Sequence, residues 1–148
     1  MTCLMFKTTE NWVPLVLRVV LGVVMFPHGA QKVLGWFGGY GFSGTLASMT
    51  GMGMPMVLVL LIFAAEFLGS LGLITGLLTR LSALGLTCVM VGAIFMVHLP
   101  NGFFMNWFGA QAGEGFEYHI LALGLAVPLL ITGGGRFSID GLIAKKRG

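Results

Sequence analysis

The sequence predicts an all-α integral membrane protein, a four-helix bundle with both termini cytoplasmic and a short C-terminal amphipathic helix. Three observations carry that prediction. Hydrophobic residues make up 57% of the chain and charged residues only 9%, with a mean hydropathy of +0.97, well outside the range of soluble domains. The apolar residues gather in four runs, about 12–33, 54–78, 81–99 and 116–132, each long enough as a helix to match a hydrocarbon layer of about 30 Å. In a four-span topology Lys7, Arg18, Arg80, Arg136, Lys145, Lys146 and Arg147 all fall toward one face, which leaves Lys32 alone near the other. Helices are required because the backbone must satisfy its own hydrogen bonds in lipid, and the runs lack the alternation of a barrel strand. Residues 1–148 form a single transmembrane domain, with no length left for a soluble catalytic one.

The same numbers exclude other classes. The net charge is +3, but the basic residues are scattered singly except at 145–147, so the charge marks topology and not a nucleic-acid partner. Cys3 and Cys88 form no C-x-x-C pair, which argues against dithiol chemistry. The first run contains Arg18 and no A-x-A site precedes Gln31, so a cleaved signal peptide is not expected.

In span one, Arg18, Gly22, Met25, Gly29 and Lys32 recur at spacings of four and three and should face the bundle. Pro27 should loosen the helix beside His28, one turn before Lys32. The stretch 34–53 reads as an outward loop, rich in glycine and carrying Trp36, Phe37, Tyr40 and Phe42. Loop 100–115 is similar, with Phe103, Phe104, Trp107 and Phe108. These rings suit either the headgroup layer or a lid over a flat lipid-soluble ligand. Span two carries Glu66 at its centre beside the small residues Ala65, Gly69, Gly72 and Gly76, which let another backbone approach. Arg80 lies in the turn before span three, and span four carries Pro128, which should kink it or pack on a neighbour. In the foot, 136–148, Ser138 can cap a short helix with Asp140 in its first turn, and Ile139, Leu142 and Ile143 supply an apolar edge for the inner leaflet.

Ionisable groups inside a span cost about 2.5 to 3.5 kcal/mol each on insertion scales, so each needs a partner or a task. With spans one and two antiparallel, Arg18 and Glu66 are expected to pair in the interior; the alternatives are an Arg18 that snorkels inward and a protonated Glu66. At the outer end the topology gathers His28, Lys32, His98, Asn101, Glu117, Tyr118 and His119. No H-x-x-H, H-x-x-x-H or C-x-x-C-H spacing supports a metal or haem site, and no flavin motif is visible.

These residues resemble the DoxX family of small bacterial membrane proteins. The resemblance rests on Leu17-Arg18, His28-Gly29-Ala30-Gln31-Lys32 with Gly35-Trp36-Phe37-Gly38-Gly39, Glu66 with Gly69 and Gly72, and Leu78-Thr79-Arg80. It continues through His98-Leu99-Pro100-Asn101-Gly102-Phe103-Phe104, Glu117-Tyr118 and Gly135-Arg136-Phe137-Ser138-Ile139-Asp140. The family implies four membrane helices in the bacterial cytoplasmic (inner) membrane, and relatives include a subunit of a thiosulfate:quinone oxidoreductase. The expectation is therefore a component of a membrane-bound oxidoreductase that engages quinone in a bundle cavity. Glu66, His28 and His98 would supply proton transfer and hydrogen bonds, and Arg18 or Lys32 would offset negative charge on the ring. Asn101, Glu117, Tyr118, Trp36 and Phe103 are the candidate contacts to the cofactor. Partners would be the lipid bilayer, a redox partner protein that supplies electrons, and a second copy of the chain. A non-catalytic scaffold for a redox partner and a small-solute transporter are the competing readings.

Overall fold

A computed structural model describes residues 4–147; Cys3 and Gly148 lie outside them, as does the side chain of Arg147. Six helices are used below: α1 (Trp12–Val33), α2 (Gly41–Gly51), α3 (Met56–Thr75), α4 (Thr79–Asn101), α5 (Glu117–Thr132) and α6 (Ile139–Arg147). Among the described residues there is no strand. The helices α1, α3 and α4 are long and apolar enough to cross a membrane, while α5, at 16 residues, covers only about 24 Å. The four pack in a ring, each against its sequence neighbours and α5 back against α1, around Leu21, Met25, Leu73, Leu86, Met90, Ala126 and Leu129. This is an up-down bundle with short connections at one end.

Glycines set the closest approach. A Cβ at Gly22 would lie 2.9 Å from the Ser70 carbonyl oxygen, and one at Gly29 would lie 2.6 Å from the Phe67 Cα. The α1 face anticipated from the sequence does turn inward: Arg18, Gly22, Met25 and Gly29 are buried and Lys32 is half-buried. Gly29→Val is expected to destabilise the bundle by about 1–3 kcal/mol, because the clash is with backbone that no rotamer change can move. Thermal unfolding in mild detergent reads this directly, and an unchanged midpoint would refute the α1–α3 register.

Two structural features were not visible in the hydrophobic runs. The helices α3 and α4 each contain a widened π turn, at Ala64–Leu68 and Ile94–His98, and these turns carry Glu66 and His98. Such single-turn bulges rotate the side chains that follow and recur at functional sites. The stretch expected to be a loop contains α2, whose glycines gave it poor helix propensity. Packing overrides that propensity: Thr45 is buried, and Phe42 meets Phe63 of α3 with ring centroids 5.3 Å apart. Helix α1 runs through Pro27 and α5 through Pro128 without ending.

The inner end is closed by a polar plug. Three segments converge there: the start of α1, the turn between α3 and α4, and the stretch 133–138 that follows α5. Arg18 is 2% exposed and spends its guanidinium entirely on carbonyls. Its Nε donates to Gly134 (2.8 Å), Nη1 to Leu73 (2.9 Å) and Ile74 (2.6 Å), and Nη2 to Arg136 (3.3 Å) and Phe137 (3.1 Å). Two of those carbonyls are among the last of α3, which have no partner within the helix. Arg80 serves α5 in the same way, donating to the carbonyls of Leu130 and Ile131. Asp140 caps α4 from a distance in sequence, its carboxylate accepting from the amides of Leu78 (2.7 Å) and Thr79 (2.8 Å). Those bonds hold Leu78 at φ 51°, a left-handed conformation that bulky residues avoid. Ser138 accepts from Gly141 and so caps α6, as its position suggests.

The N-terminal segment joins this face through Thr9, whose amide donates to the Thr132 carbonyl, and through the Lys145–Glu10 pair at 2.7 Å. The hydrogen bond from Lys145, and then its charge, hold the Glu10 carboxyl below the usual carboxylate range. Both described ends therefore lie on the face that carries Lys7, Arg80, Arg136, Lys145 and Lys146, which the positive-inside rule assigns to the cytoplasm.

Candidate functional site

The outer half of the bundle is less tightly filled. A cavity of about 630 Å³ lies between the four spans beneath α2 and the loop before α5. Its walls are mostly apolar, with Met25, Met49, Met54, Met90, Met96 and Met105 prominent among them. Methionine is unbranched and polarisable, and fills irregular spaces against flat rings. Into this lining project ionisable side chains from all four spans: His28 and Lys32 from α1, Glu66 from α3, His98 from α4, Tyr118 and His119 from α5.

The pairing expected for Arg18 and Glu66 does not occur. Lys32 Nζ stands 2.5 Å from Glu66 Oε2, and Arg18 is at the inner plug. The reason is register. The helices α1 and α3 meet where Gly29 touches the backbone of Glu66 and Phe67, which sets Glu66 level with the outer part of α1. Arg18 lies eleven residues, roughly 16 Å, further toward the inner face. The Glu66 side chain is 6% exposed and that of Lys32 25%, and no neutral donor joins the ammonium at Oε2.

Across the cavity, the rings of His98 and His119 lie with centroids 4.1 Å apart. His98 Nδ1 is 2.8 Å from the Glu114 carbonyl oxygen, which fixes its ring against the outer loop. His119 is 6% exposed, and its Nδ1 has no hydrogen-bond partner. A buried polar nitrogen left unpaired costs about 1–3 kcal/mol, and a turn of the ring that brought this atom to a donor or acceptor in the cavity would recover that cost. Tyr118 directs its hydroxyl to Met25 Sδ at 3.4 Å, and its ring lies 6.1 Å from that of His28.

The other candidate contacts sit elsewhere. Glu117 accepts from the Met105 amide (3.0 Å), and Asn101 donates to the carbonyls of Val97 and Glu114, so both brace the outer loop. Phe103 packs on Phe104 and Phe116, and Trp36 on Phe26 and Phe37; neither ring lines the cavity. His119, gathered with the outer group from the sequence, does line the cavity, whereas Cys88 and the methionines other than Met25 were given no role there. Ten methionines in so short a chain were the one available signal.

Comparison with known proteins agrees with this architecture. The family model described as DoxX matches residues 13–99, which take in Arg18, His28, Lys32, Glu66, Arg80 and His98. The Bacillus subtilis (strain 168) protein named "Putative oxidoreductase CatD" is 29% identical over 131 residues, 88% of this chain and 87% of that protein. The Escherichia coli (strain K12) protein named "Inner membrane protein YqjF" is 29% identical over 140 residues, 95% of this chain and 98% of that protein. No solved structure matches. With more than half of its length covered by the family model and its helices arranged as a membrane bundle, the chain belongs to the DoxX family.

Proposed function

We propose that this chain is the membrane component of a bacterial inner-membrane oxidoreductase and that it binds a quinone ring in the outer cavity. The observation that carries the reading is His119, buried and unpaired at Nδ1, on the wall of an apolar cavity that also holds the Lys32–Glu66 pair. A volume of about 630 Å³ falls within the usual range for small-molecule sites. The residues fit such a group: flat apolar walls for the ring, and polar groups for its two oxygens. A bound quinone would supply the capacity to carry electrons together with protons; the protein's part is to bind, orient and handle protons.

His119 would turn its ring on binding to bring Nδ1 from its buried position to one ring oxygen, beside His98. Lys32 would direct its charge toward the other end of the ring, and Glu66 would hold or accept a proton beside it. Tyr118 and His28 would orient the ring from the side. The methionine walls would exclude water, which keeps these polar contacts strong.

Gly92 offers a clean test, because it lines the cavity and a Cβ there meets nothing within 4 Å. Purified gently into lipid nanodiscs, the native chain is expected to retain about one quinone per chain by mass spectrometry of extracted lipid, with no haem bands in the visible spectrum. Gly92→Leu fills the space without moving a helix, and should retain about tenfold less at an unchanged melting temperature. A native chain that retains no quinone would overturn the proposal and leave a scaffold for a redox partner.

A further inference from the structure

We infer that the cavity is the head end of a longer site, and that an apolar groove along the α3–α4 seam receives the hydrocarbon chain of the quinone. The inference rests on the proposed function and adds the class of ligand, a quinone with a long chain. The groove encloses about 700 Å³ on the lipid side of the bundle. It borders the cavity: Leu61, Ala65 and Gly85 line both. From Leu61 it follows α3 down to Thr75, fourteen residues or roughly 21 Å. No charged side chain lines it, and its floor is lowered by small residues such as Gly69, Gly72 and Ser82.

The two spaces divide the chemistry of one amphiphile. Every ionisable group lies in the cavity, and the groove offers only hydrocarbon and a few small hydroxyls. The cavity has on its wall the Lys32–Glu66 pair and the ring of His119, whose Nδ1 is buried and unpaired. Free acyl chains of the bilayer can lie in any lipid-facing groove. A chain tethered to a ring in the cavity is held at this one, because tethering makes its binding intramolecular. On this reading a ring drawn from the bilayer would enter between α3 and α4 beside Leu61, without crossing the outer loops.

Leu68 is 61% exposed and Leu81 is 51% exposed, and both line the groove and not the cavity, so tryptophan at either site fills the groove without disturbing the core. The test uses the whole chain in nanodiscs and two probes, duroquinone, which has no chain, and ubiquinone-8. Both affinities are expressed as mole fraction in the lipid, so that partitioning cancels. The native chain is expected to bind ubiquinone-8 at least tenfold more tightly than duroquinone. Leu68→Trp should abolish that advantage and leave duroquinone binding within about twofold of native, while Leu81→Trp should reduce the advantage partially. Equal affinities in the native chain, or an advantage that survives Leu68→Trp, would overturn the inference and leave the proposed function standing. Variants that change only the count of bound phospholipid, or only the fraction of dimer, would assign the groove to those occupants and also overturn it. Failure of both probes to bind the native chain would remove the proposed function and this inference together.

Discussion

Arg18→Leu is expected to cost about 3–5 kcal/mol of stability and to lower the melting temperature of the chain in mild detergent by 10 °C or more. The side chain is fully buried, and its donors meet five carbonyls drawn from the end of α3 and the stretch after α5. Leucine has a similar reach in volume but supplies no donor. The Ile74 carbonyl would then lie at a helix terminus in a low-dielectric setting without a partner, and the Leu73 carbonyl would keep only a long bond of 3.3 Å from the Gly76 amide, which is the costly outcome for buried acceptors. Arg18→Lys should recover only part of the loss, since one ammonium offers three donors from a single point where the guanidinium offers five in a planar fork. Asp140→Asn should act in the same direction with a smaller effect, because the amide keeps one of the two acceptors used by Leu78 and Thr79. Midpoints within about 3 °C of native for Arg18→Leu would mean that the plug does not hold the inner end together.

That prediction differs from the one the sequence invites, and the difference shows what was legible. The hydrophobic runs located all four helices of the bundle, three of them long enough to cross a membrane, because burial in lipid is a one-dimensional constraint on composition and length. The basic residues oriented them for the same kind of reason. Helix spacing correctly placed Gly22, Met25 and Gly29 in the interior. The partner of Arg18 was not legible, because it depends on the relative register of two helices, and register is set by where Gly29 can touch the α3 backbone. Carbonyl ligands also leave no trace in side-chain identity. Glu66 and His98 were singled out for their charge and position, but the π turns that present them are backbone events with no compositional signature. The cavity's methionines look like core from any one helix, and only the packing of four spans shows that they surround space.

The Lys32–Glu66 pair should separate what the bundle needs from what the site does. Lys32→Met strands the more buried partner, a carboxylate with no other donor at Oε2, and is expected to cost about 3–5 kcal/mol. Glu66→Gln strands the ammonium instead. That group is a quarter exposed and can turn toward water, so the loss should be smaller, about 1–2 kcal/mol. The double variant Lys32→Met/Glu66→Gln removes both charges and should recover most of the stability lost by Lys32→Met alone, because isolated buried charge is what was costly. Quinone retention should not follow stability in this series. If the pair serves the ring, retention falls about tenfold or more in both single variants and stays low in the double, although the bundle is intact again. A double variant that regains both its melting temperature and its quinone would reduce the pair to a packing device, and the proton-handling role assigned to Glu66 would have to move to His28 or His119.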